Sequence, residues 1–412
     1  MKAGWQIKKL GDICAIELGK TPFRANKLFW DVEKKTQNVW LSIADLLNGD
    51  GKFVSDSKEY ISDKGANISK KVKSGTLLVS FKLTLGRLAF AGRDLFTNEA
   101  IASLSIRNEN EIFKDYLFHF LDHFDWNLAT EGDVKIKGRT LNKQKLKEIL
   151  IFYPPMPEQQ RIVSILDEAF EGIATATANA KKNLANAREL FESYLQSVFT
   201  NKGEGWVERK LGEKNLLAMI DGDRGSNYPK ASDFQEAGDC LFMNTKNVRP
   251  NGFEFETTMF ITNEKDSQLR KGKLIRNDIV MTTRGTIGNI GLYSHDVPFD
   301  NVRINSGMLI FRVNQNQILP AFLFELFRSH IIKSQIKKHT SGAAQPQLPI
   351  NTLVNFTIPV PNNLQTQQTI VDNMGKLFAE TERLEAIYQQ KLTALQELKK
   401  SILNQAFSGQ LN

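Results

Sequence analysis

The chain has 412 residues, a net charge of +8, 41% hydrophobic and 24% charged residues, which is typical of a soluble protein with two or more domains. It lacks both a run of ~18 consecutive apolar residues and the apolar segment of a secretory signal, and its two cysteines are too few for a disulfide framework. We therefore expect a cytoplasmic protein, and the positive charge favours a polyanionic partner.

The positive charge is concentrated in two separate stretches. Residues 1–152 contain 25 Lys and Arg against 19 Asp and Glu, and residues 201–360 contain 20 against 16. The stretches at 153–200 and 361–412 carry no basic excess. Two basic bodies indicate a polyanion held at two places, although a pI near 9.2 is also common among soluble proteins.

The first body, predicted over 1–153, opens on the sequence WQIKKLG at 5–11. Short, partly β-branched apolar runs bounded by turn residues predict strands at 76–81 and 101–106. The sequence at 111–128, EIFKDYLFHFLDHFDWNL, has the apolar spacing of an amphipathic helix. We therefore predict a mixed α/β body with several short strands and one clear helix.

A helical segment follows at 154–200 and is repeated at 359–412. A shift of 208 positions superimposes Gln160 on Gln368 and Phe199 on Phe407. Prolines precede each copy and are then absent, as expected of long helices that begin after a proline cluster. Apolar residues recur at alternating steps of three and four, which is the pattern of a coiled coil, so we expect each copy to pack against the other. The apolar stripe contains Ile162, Leu166, Ile173, Leu190 and Tyr194 in the first copy and Ile370, Met374, Leu377, Leu384, Tyr388, Leu395, Leu398 and Ile402 in the second.

Two polar residues, Asn183 and Lys391, interrupt this stripe. A polar residue at such a position fixes the register of a coiled coil. It is equally consistent with a frayed or solvated segment. Both interpretations stay open at the level of sequence.

The second body, predicted over 201–358, repeats the plan of the first. Its opening WVERKLG at 206–212 matches 5–11, and 271–293 corresponds to 73–90, with Thr286 and Gly288 on Thr84 and Gly86. The segment 318–339 corresponds to the helix predicted at 111–128. The chain therefore contains an internal duplication, with two bodies and two helical segments that share one plan.

The sequence contains none of the catalytic motifs that we sought. It lacks a phosphate-binding GxxxxGK[ST] loop, GxGxxG after a strand, HExxH, paired CxxC and the (Asp/Asn)-Pro-Pro-(Tyr/Phe) element of adenine methyltransferases. His119 and His123 have the spacing of metal ligands, but they lie in an aromatic-rich segment without further ligands, which favours a packing or surface role. We predict no catalytic and no metal-binding residues.

Both bodies place basic and amide or hydroxyl side chains beside glycines in loops. These residue types pair with phosphates and with guanine or adenine edges. Each loop alone is typical of solvated surface, but their recurrence at matched positions in both bodies predicts DNA binding. The candidate DNA-binding residues are Lys20, Thr21, Arg24, Lys82, Arg87, Lys137 and Arg139 in the first body and Arg224, Asn227, Lys246, Arg284, Thr286, Lys337 and Lys338 in the second.

The whole chain resembles the specificity (S) subunit of type I restriction–modification enzymes. The resemblance rests on the two WxxxxLG openings, on the motifs GKTP, RGTIG and SGAAQPQL, and on IPVP followed by Gln-Gln-x-Ile-Val before a long helix. The first half departs from this pattern, because KLTLG at 82–86 replaces RGTIG and 136–141 lacks the SGAAQPQL wording. The second half lacks GKTP and has 221–227 in its place.

The resemblance implies a mixed α/β (α+β) fold with a pseudo-two-fold internal repeat. Two similar target recognition domains would be joined by two long helices that form an antiparallel coiled coil. Each domain would read one half of a bipartite DNA target, and the helices would set the spacer and dock two methyltransferase (M) subunits.

The resemblance also assigns all catalysis to partners. The M subunits would bind S-adenosylmethionine, and restriction (R) subunits would use ATP and Mg²⁺ to translocate and cleave DNA. The alternatives are a stand-alone enzyme that acts on DNA and a coiled-coil scaffold that does not contact DNA.

Overall fold

The computed structural model describes residues 4–47, 51–130, 134–135, 138–250, 252–340 and 347–411. These residues form two compact units, of which one comprises Met1–Ala180 with Gln390–Asn412 and the other Lys181–Gln389. Each unit combines one globular body with part of each long helix. None of the helices in the described ranges has the length and apolarity needed to cross a membrane.

The first unit is built from short strands that form four small sheets. Among the described residues, a five-stranded sheet has the order β2-β11-β7-β9-β4 and a four-stranded sheet the order β5-β3-β10-β6. A two-stranded sheet pairs β1 with β14, and a three-stranded sheet has the order β12-β13-β8. The strands are β1 Gln6–Lys9, β2 Cys14–Leu18, β3 Val39–Leu41, β4 Phe53–Val54, β5 Glu59–Tyr60, β6 Lys71–Val72, β7 Leu77–Ser80, β8 Lys82–Leu83, β9 Leu88–Ala91, β10 Leu95–Thr97, β11 Ile101–Ile106, β12 Val134–Lys135, β13 Gly138–Thr140 and β14 Leu150–Tyr153. The helices are α1 Leu10–Ile13, α2 Asp63–Ile68, α3 Lys114–His123, α4 Lys143–Lys147 and α5 Met156–Thr200.

The second unit repeats this architecture. A four-stranded sheet has the order β16-β24-β21-β22 and a three-stranded sheet the order β20-β17-β23, while β15 pairs with β25 and β18 with β19. The strands are β15 Trp206–Lys210, β16 Leu217–Asp221, β17 Cys240–Met243, β18 Val248–Arg249, β19 Gly252–Phe253, β20 Phe260–Ile261, β21 Ile279–Thr282, β22 Ile290–Leu292, β23 Val302–Ile304, β24 Met308–Val313 and β25 Thr357–Pro361. The helices are α6 Asn263–Gln268, α7 Pro320–Arg328, α8 His330–Thr340, α9 Ile350–Leu353 and α10 Leu364–Ser408.

The fully buried strands explain the apolar runs in the sequence. All four residues of β7 and all four of β21 are buried, and each strand lies between two neighbours of its sheet. A strand covered on both faces is expected to be apolar throughout, without the alternation of a half-exposed strand. The strands predicted at 76–81 and 101–106 are therefore confirmed as β7 and β11.

The helix predicted at 111–128 is shorter than its apolar pattern. It ends at His123, because Phe124 leaves the helical conformation and the Trp126 indole donates to the Leu121 carbonyl at 3.0 Å. The corresponding segment 318–339 contains two helices, α7 and α8. Ser329 separates them in an extended conformation, and its hydroxyl donates to the Leu326 carbonyl at 2.6 Å. The prediction of one helix in the second body was therefore wrong.

Within the first unit, the two long helices pack in antiparallel directions. Near the start of α5, Arg161 donates to the carbonyl of Leu411 at 2.9 Å. Further along α5, the Phe170 ring contacts the ammonium of Lys399 at 4.9 Å, so the partner on α10 moves backwards as α5 advances. A shared core of α5 and α10 residues joins the body at this end. Its helical members are Ile162, Val163, Leu166, Leu403 and Ala406.

The second unit has the same antiparallel arrangement. Arg188 forms an ion pair with Glu385 at 3.1 Å, and the rings of Phe191 and Phe378 lie 5.3 Å apart. Each helix is continuous over 45 residues, or about 68 Å. The predicted fold class of two similar mixed helix and strand bodies with two long antiparallel helices is confirmed.

The predicted residues of the apolar stripe differ in burial. Ile162, Leu166 and Met374 are at most 1% exposed. Leu190 and Leu398 are 49% and 48% exposed, so they lie outside the packed seam, and Phe191 at 4% takes the buried position beside Leu190. Eight predicted stripe residues are half-buried, namely Ile173, Tyr194, Ile370, Leu377, Leu384, Tyr388, Leu395 and Ile402. Asn183 and Lys391 are exposed, which favours the solvated interpretation of these positions.

A buried glutamine attaches the start of each long helix to its body. The Gln367 side chain is 0% exposed, accepts from the backbone N–H of Leu319 at 2.8 Å and donates to the carbonyls of Pro361 at 3.0 Å and Gln317 at 3.2 Å. Gln159 makes the equivalent three bonds in the first unit. In each unit the amide therefore satisfies one buried and two partly buried backbone groups.

Replacing Gln367 by leucine is expected to lower the free energy of unfolding by about 3 kcal/mol, because it leaves one buried and two partly buried backbone groups without their partner. Leucine at the adjacent, exposed Gln368, which bonds only Asp372 in the described structure, is expected to change it by less than about 0.5 kcal/mol. Equilibrium urea denaturation measures both values. Equal losses in the two variants would contradict this role.

Another buried polar contact makes the first unit sensitive to acid. The His119 ring is 2% exposed and lies 2.9 Å from the Asp167 carboxylate, with its other nitrogen unpaired among the described residues. Burial, together with the charge of Lys52, lowers the pKa of His119 below its ordinary value of 6.5, although Asp167 and Asp122 act in the opposite direction. Below pH 6.5 the unfolded chain therefore binds more protons at this site than the folded chain does.

We expect the free energy of unfolding to fall as the pH is lowered from 7 to 5, by at most about 1.4 kcal/mol per pH unit for this group. His119→Gln should flatten that dependence, whereas His295→Gln, at an exposed histidine, should leave it unchanged. Urea denaturation at a series of pH values gives the slope. An identical slope in the wild type and His119→Gln would exclude His119 as its source.

Candidate nucleic-acid interface

Three loops of the first unit meet at the ends of β2, β7 and β11. The loop after β2 begins at Gly19, whose backbone N–H donates to Ile101 at 3.1 Å and whose α-carbon is so close to Thr97 and Asn98 that a Cβ would lie 2.2 Å from each. The loop before β11 turns on Asn98, which accepts from the N–H of Ala100 at 3.1 Å. The N–H of Phe81, at the end of β7, donates to Ala100 at 3.0 Å.

The second unit assembles the same loops with equivalent bonds. Gly222 lies after β16, where a Cβ would meet the Asn305 carbonyl at 2.1 Å. Asn305 accepts from the N–H of Gly307 at 2.9 Å, and the N–H of Thr283 donates to Gly307 at 2.8 Å. Both bodies therefore bring the same three loops together, although the loop sequences differ.

Leu141, which ends the segment that lacks the SGAAQPQL motif, occupies the same backbone position in the first unit as Leu348 does in the second. The N–H of Leu141 donates to Phe81 at 3.0 Å, and that of Leu348 donates to Thr283 at 3.0 Å. These two bonds show that Leu141 and Leu348 are equivalent, although the sequences that precede them differ.

A carboxylate organises the basic residues of the first unit. The Glu99 side chain accepts a short hydrogen bond from the Thr21 hydroxyl. Partial burial acts to raise the pKa of Glu99, but the bond from Thr21 and the charges of Lys82 and Arg24 outweigh it and hold that pKa below its usual value. Lys20 is exposed in the same loop. Three predicted residues, Thr21, Arg24 and Lys82, therefore act on one ionised carboxylate.

Contacts within the first unit hold the guanidinium of Arg24, although the residue lies in a loop. Its guanidinium lies 4.2 Å from the ring centre of Trp30 and 4.5 Å from that of Trp40, and it pairs with both carboxylate oxygens of Glu59. Arg87 is half-buried, with one terminal nitrogen unpaired within the described chain. These contacts favour a role of Arg24 in shaping the site rather than in pairing with a base.

The second unit presents two arginines in one cavity of about 330 Å³, which is also lined by Asp221 and Gln347. Arg224 is 50% exposed and lies 3.4 Å from both Asp221 and the carbonyl of Ser306. Arg284 is exposed, and no side-chain partner is found for it among the described residues. A guanidinium without an internal partner is available for a bidentate contact with an external anion or a guanine edge.

The other predicted residues of the second unit surround these loops less closely. Lys246 is exposed in a neighbouring turn, whereas Thr286 is exposed in the turn after β21, two residues from Arg284. Asn227 is exposed, and its amide donates to the carbonyl of Gln268 at 3.3 Å. Lys337 and Lys338 lie on α8, which approaches the turn at Gly288 through Ile336.

Two predicted residues of the first unit have no described side chain. Lys137 lies outside the described residues, and for Arg139 only the backbone, in β13, is described.

Sequence reasoning missed Glu99 and Gln347 as members of these sites. Glu99 stands between two apolar strands and carries no loop signature of its own. Gln347 is part of the SGAAQPQL motif, and its position next to Arg284 follows from the backbone pairing of these two residues. No local sequence signal marks Glu99, because its bond with Thr21 joins residues that are far apart in the chain.

Comparison with known proteins identifies the family. The family model described as "Type I restriction modification DNA specificity domain" matches residues 2–186 and 203–394. The chain belongs to the type I restriction–modification specificity family. Specificity subunits are the non-catalytic members of type I systems, and this chain is accordingly a non-catalytic subunit.

Curated members of the specificity family match most of the chain. The specificity subunit of the type I restriction enzyme EcoBI from Escherichia coli is 22% identical over 337 residues, which cover 76% of this chain and 69% of that protein. The MjaIX specificity subunit from Methanocaldococcus jannaschii is 23% identical over 430 residues, which cover 99% and 93%.

Solved structures from type I restriction–modification systems share the fold. A chain from a study of complex assembly and conformational transition of the type I R-M system has a TM-score of 0.76 at 18% identity, and the match covers 100% of this chain and 99% of that one. The HsdS subunit from Thermoanaerobacter tengcongensis has a TM-score of 0.62 at 18% identity, and the match covers 100% and 98%.

Proposed function

We propose that this chain reads a bipartite DNA sequence for a type I restriction–modification complex, with each body reading one half of the target. The observation that carries this proposal is the repetition of one loop assembly in two basic bodies. A duplicated site that presents cationic side chains in both copies fits a polyanion contacted at two places.

The side chains of the two sites supply both phosphate and base contacts. Lys20 and Lys82 provide positive charge for phosphates in the first body, while Glu99 accepts hydrogen bonds as a cytosine amino group requires. In the second body, Arg284 and Arg224 have the fork geometry that pairs with guanine, and Gln347 the amide that pairs with adenine. The different chemistry of the two sites means that the two half-sites differ in sequence.

The long helices set the spacer between the half-sites and dock the partner subunits. Their continuity over 45 residues each supports the first role. Exposed apolar residues on otherwise polar helix surfaces support the second, since Leu190, Ile387 and Leu398 are 42–49% exposed. Two methyltransferase subunits would cover these residues.

The partners carry the cofactors and the chemistry. The methyltransferase subunits bind S-adenosylmethionine and methylate adenine, and the restriction subunits use ATP and Mg²⁺ to translocate and cleave DNA. The complex acts on double-stranded DNA in the cytoplasm.

Selection from a pool of randomised duplexes tests the proposal. The chain is purified with its methyltransferase subunits, and we expect recovery of two short sequences separated by a fixed gap. Affinity for the recovered duplex should fall steeply with salt, because each phosphate contact contributes about −0.9 to the slope of log K against log salt. Recovery of no common sequence would favour a scaffold that does not contact DNA.

A further inference from the structure

The turn after β7 and the turn after β21 have one backbone design. The hydroxyl of Ser80 accepts from the N–H of Arg87 at 3.0 Å, as that of Thr282 accepts from Asn289 at 3.0 Å. The glycine N–H near the end of each turn donates to the carbonyl of the same Ser or Thr at 2.9 Å. The two turns can therefore be compared residue by residue.

Each turn places two residues in the left-handed region. In the second unit, glycine occupies both positions, since Gly285 has φ 71° and Gly288 φ 87°. In the first unit, Gly86 has φ 76°, but the other position is held by Leu83 at φ 63°. A leucine there is strained, because its Cβ crowds the backbone in a conformation that glycine adopts freely.

The strain at Leu83 is not offset by burial, since this residue is 64% exposed. An exposed apolar side chain on a strained backbone contributes nothing to the folded chain that glycine would not provide. Backbone strain of this kind concentrates where a side chain contacts a ligand. Since no described residue covers Leu83, a bound molecule is the candidate for the contact that makes use of it.

The surroundings of Leu83 indicate which molecule makes that contact. Leu83 pairs with Arg139 between β8 and β13 and lines a cleft of about 470 Å³ with Leu85 and Trp126. Its neighbour Lys82 belongs to the cationic group around Glu99. An apolar side chain at the tip of a turn beside a lysine fits DNA, whose phosphates attract the cation while a base offers an apolar surface.

We propose that Leu83 is a specificity-determining residue that contacts a base in the half-site read by the first body. Gly285 leaves the equivalent position of the second body without a side chain, so this contact exists in one half-site only. The proposal rests on the proposed function, since it assumes that the first body reads DNA.

Leu83→Gly tests this role and gives the turn the residue that its repeat already has. In complex with the methyltransferase subunits, the variant should lose about tenfold in discrimination at one or two base pairs of a single half-site. Its melting temperature should stay equal to that of the wild type or rise, because the strain is relieved. Leu83→Met, which keeps a long apolar side chain, should retain most of the discrimination.

Asn277→Gly is the matched control, because Asn277 also has a positive φ, 75°, at a turn outside the three loops. It should leave selection unchanged. Unaltered selection by Leu83→Gly, or weaker binding of the methyltransferase subunits in place of altered selection, would overturn the proposal while the proposed function stands. A wild-type complex that selects no sequence overturns both.

Discussion

Replacing Arg284 by alanine is expected to weaken binding of the target duplex by about tenfold to a hundredfold and to relax selection in one half-site only. The loss corresponds to about 1–3 kcal/mol, the value of one bidentate contact between a guanidinium and a guanine. We expect this effect because Arg284 is exposed beside Arg224 and Gln347, and its guanidinium has no side-chain partner within the described structure. Adding Arg224→Ala should deepen the loss in the same half-site.

Two further variants show whether the loss of selection is confined to the half-site read by the second body. Lys82→Ala, in the first body, should weaken binding while the half-site of the second body keeps its selectivity. Arg383→Ala, on α10, removes an arginine that pairs with Glu380 and lies outside the three loops, and it should leave affinity and selection unchanged. Equal relaxation of both half-sites by Arg284→Ala would show that the two bodies do not read separate sequences.

Removing one heptad from both long helices is expected to shorten the gap in the DNA target by about three base pairs. Seven helical residues span about 10.5 Å, and one base pair of B-DNA rises about 3.4 Å. A deletion of seven residues also keeps the apolar stripe within about 20° of its original direction. Suitable segments are 177–183 of α5 and 387–393 of α10, which lie between the helix contacts of the two units.

The control for this deletion is alanine at the exposed residues Asn183 and Lys391, which keeps the helix lengths. That variant should retain the original gap, since neither side chain lies in the packed seam. Sequencing of methylated sites gives the gap in each case. An unchanged gap after the deletion would contradict the spacer role, whatever its effect on stability.

The sequence predicted the duplicated plan, the long helices and the buried strands because these depend on local pattern. It failed where a single side chain decided the backbone path. Trp126 turns back onto Leu121 and ends α3, and Ser329 separates α7 from α8, although the apolar spacing continues through both positions. The stripe likewise included Leu190, since apolar spacing does not distinguish the packed seam from an adjacent face.

The sequence predicted which loops form the candidate site, but not which contacts their side chains make. Loop composition predicted Lys20, Lys82 and Arg284 as DNA-binding residues, and this assignment stays a prediction. The stacking of Arg24 on two tryptophans is a long-range contact that its own loop does not encode. Glu99 belongs to the site only because β10 and β11 bring it to Thr21. Buried Gln159 and Gln367 lie beside the residues that the repeat alignment emphasised, Gln160 and Gln368, and only burial separates the two pairs.

The central claim is that one chain reads two separate half-sites through two similar bodies. Mapping of methylated adenines in cells that express the chain with its methyltransferase subunits tests it most directly. The account predicts one bipartite motif, with two different short sequences and a fixed gap between them. A single continuous motif, or methylation without any common sequence, would contradict it.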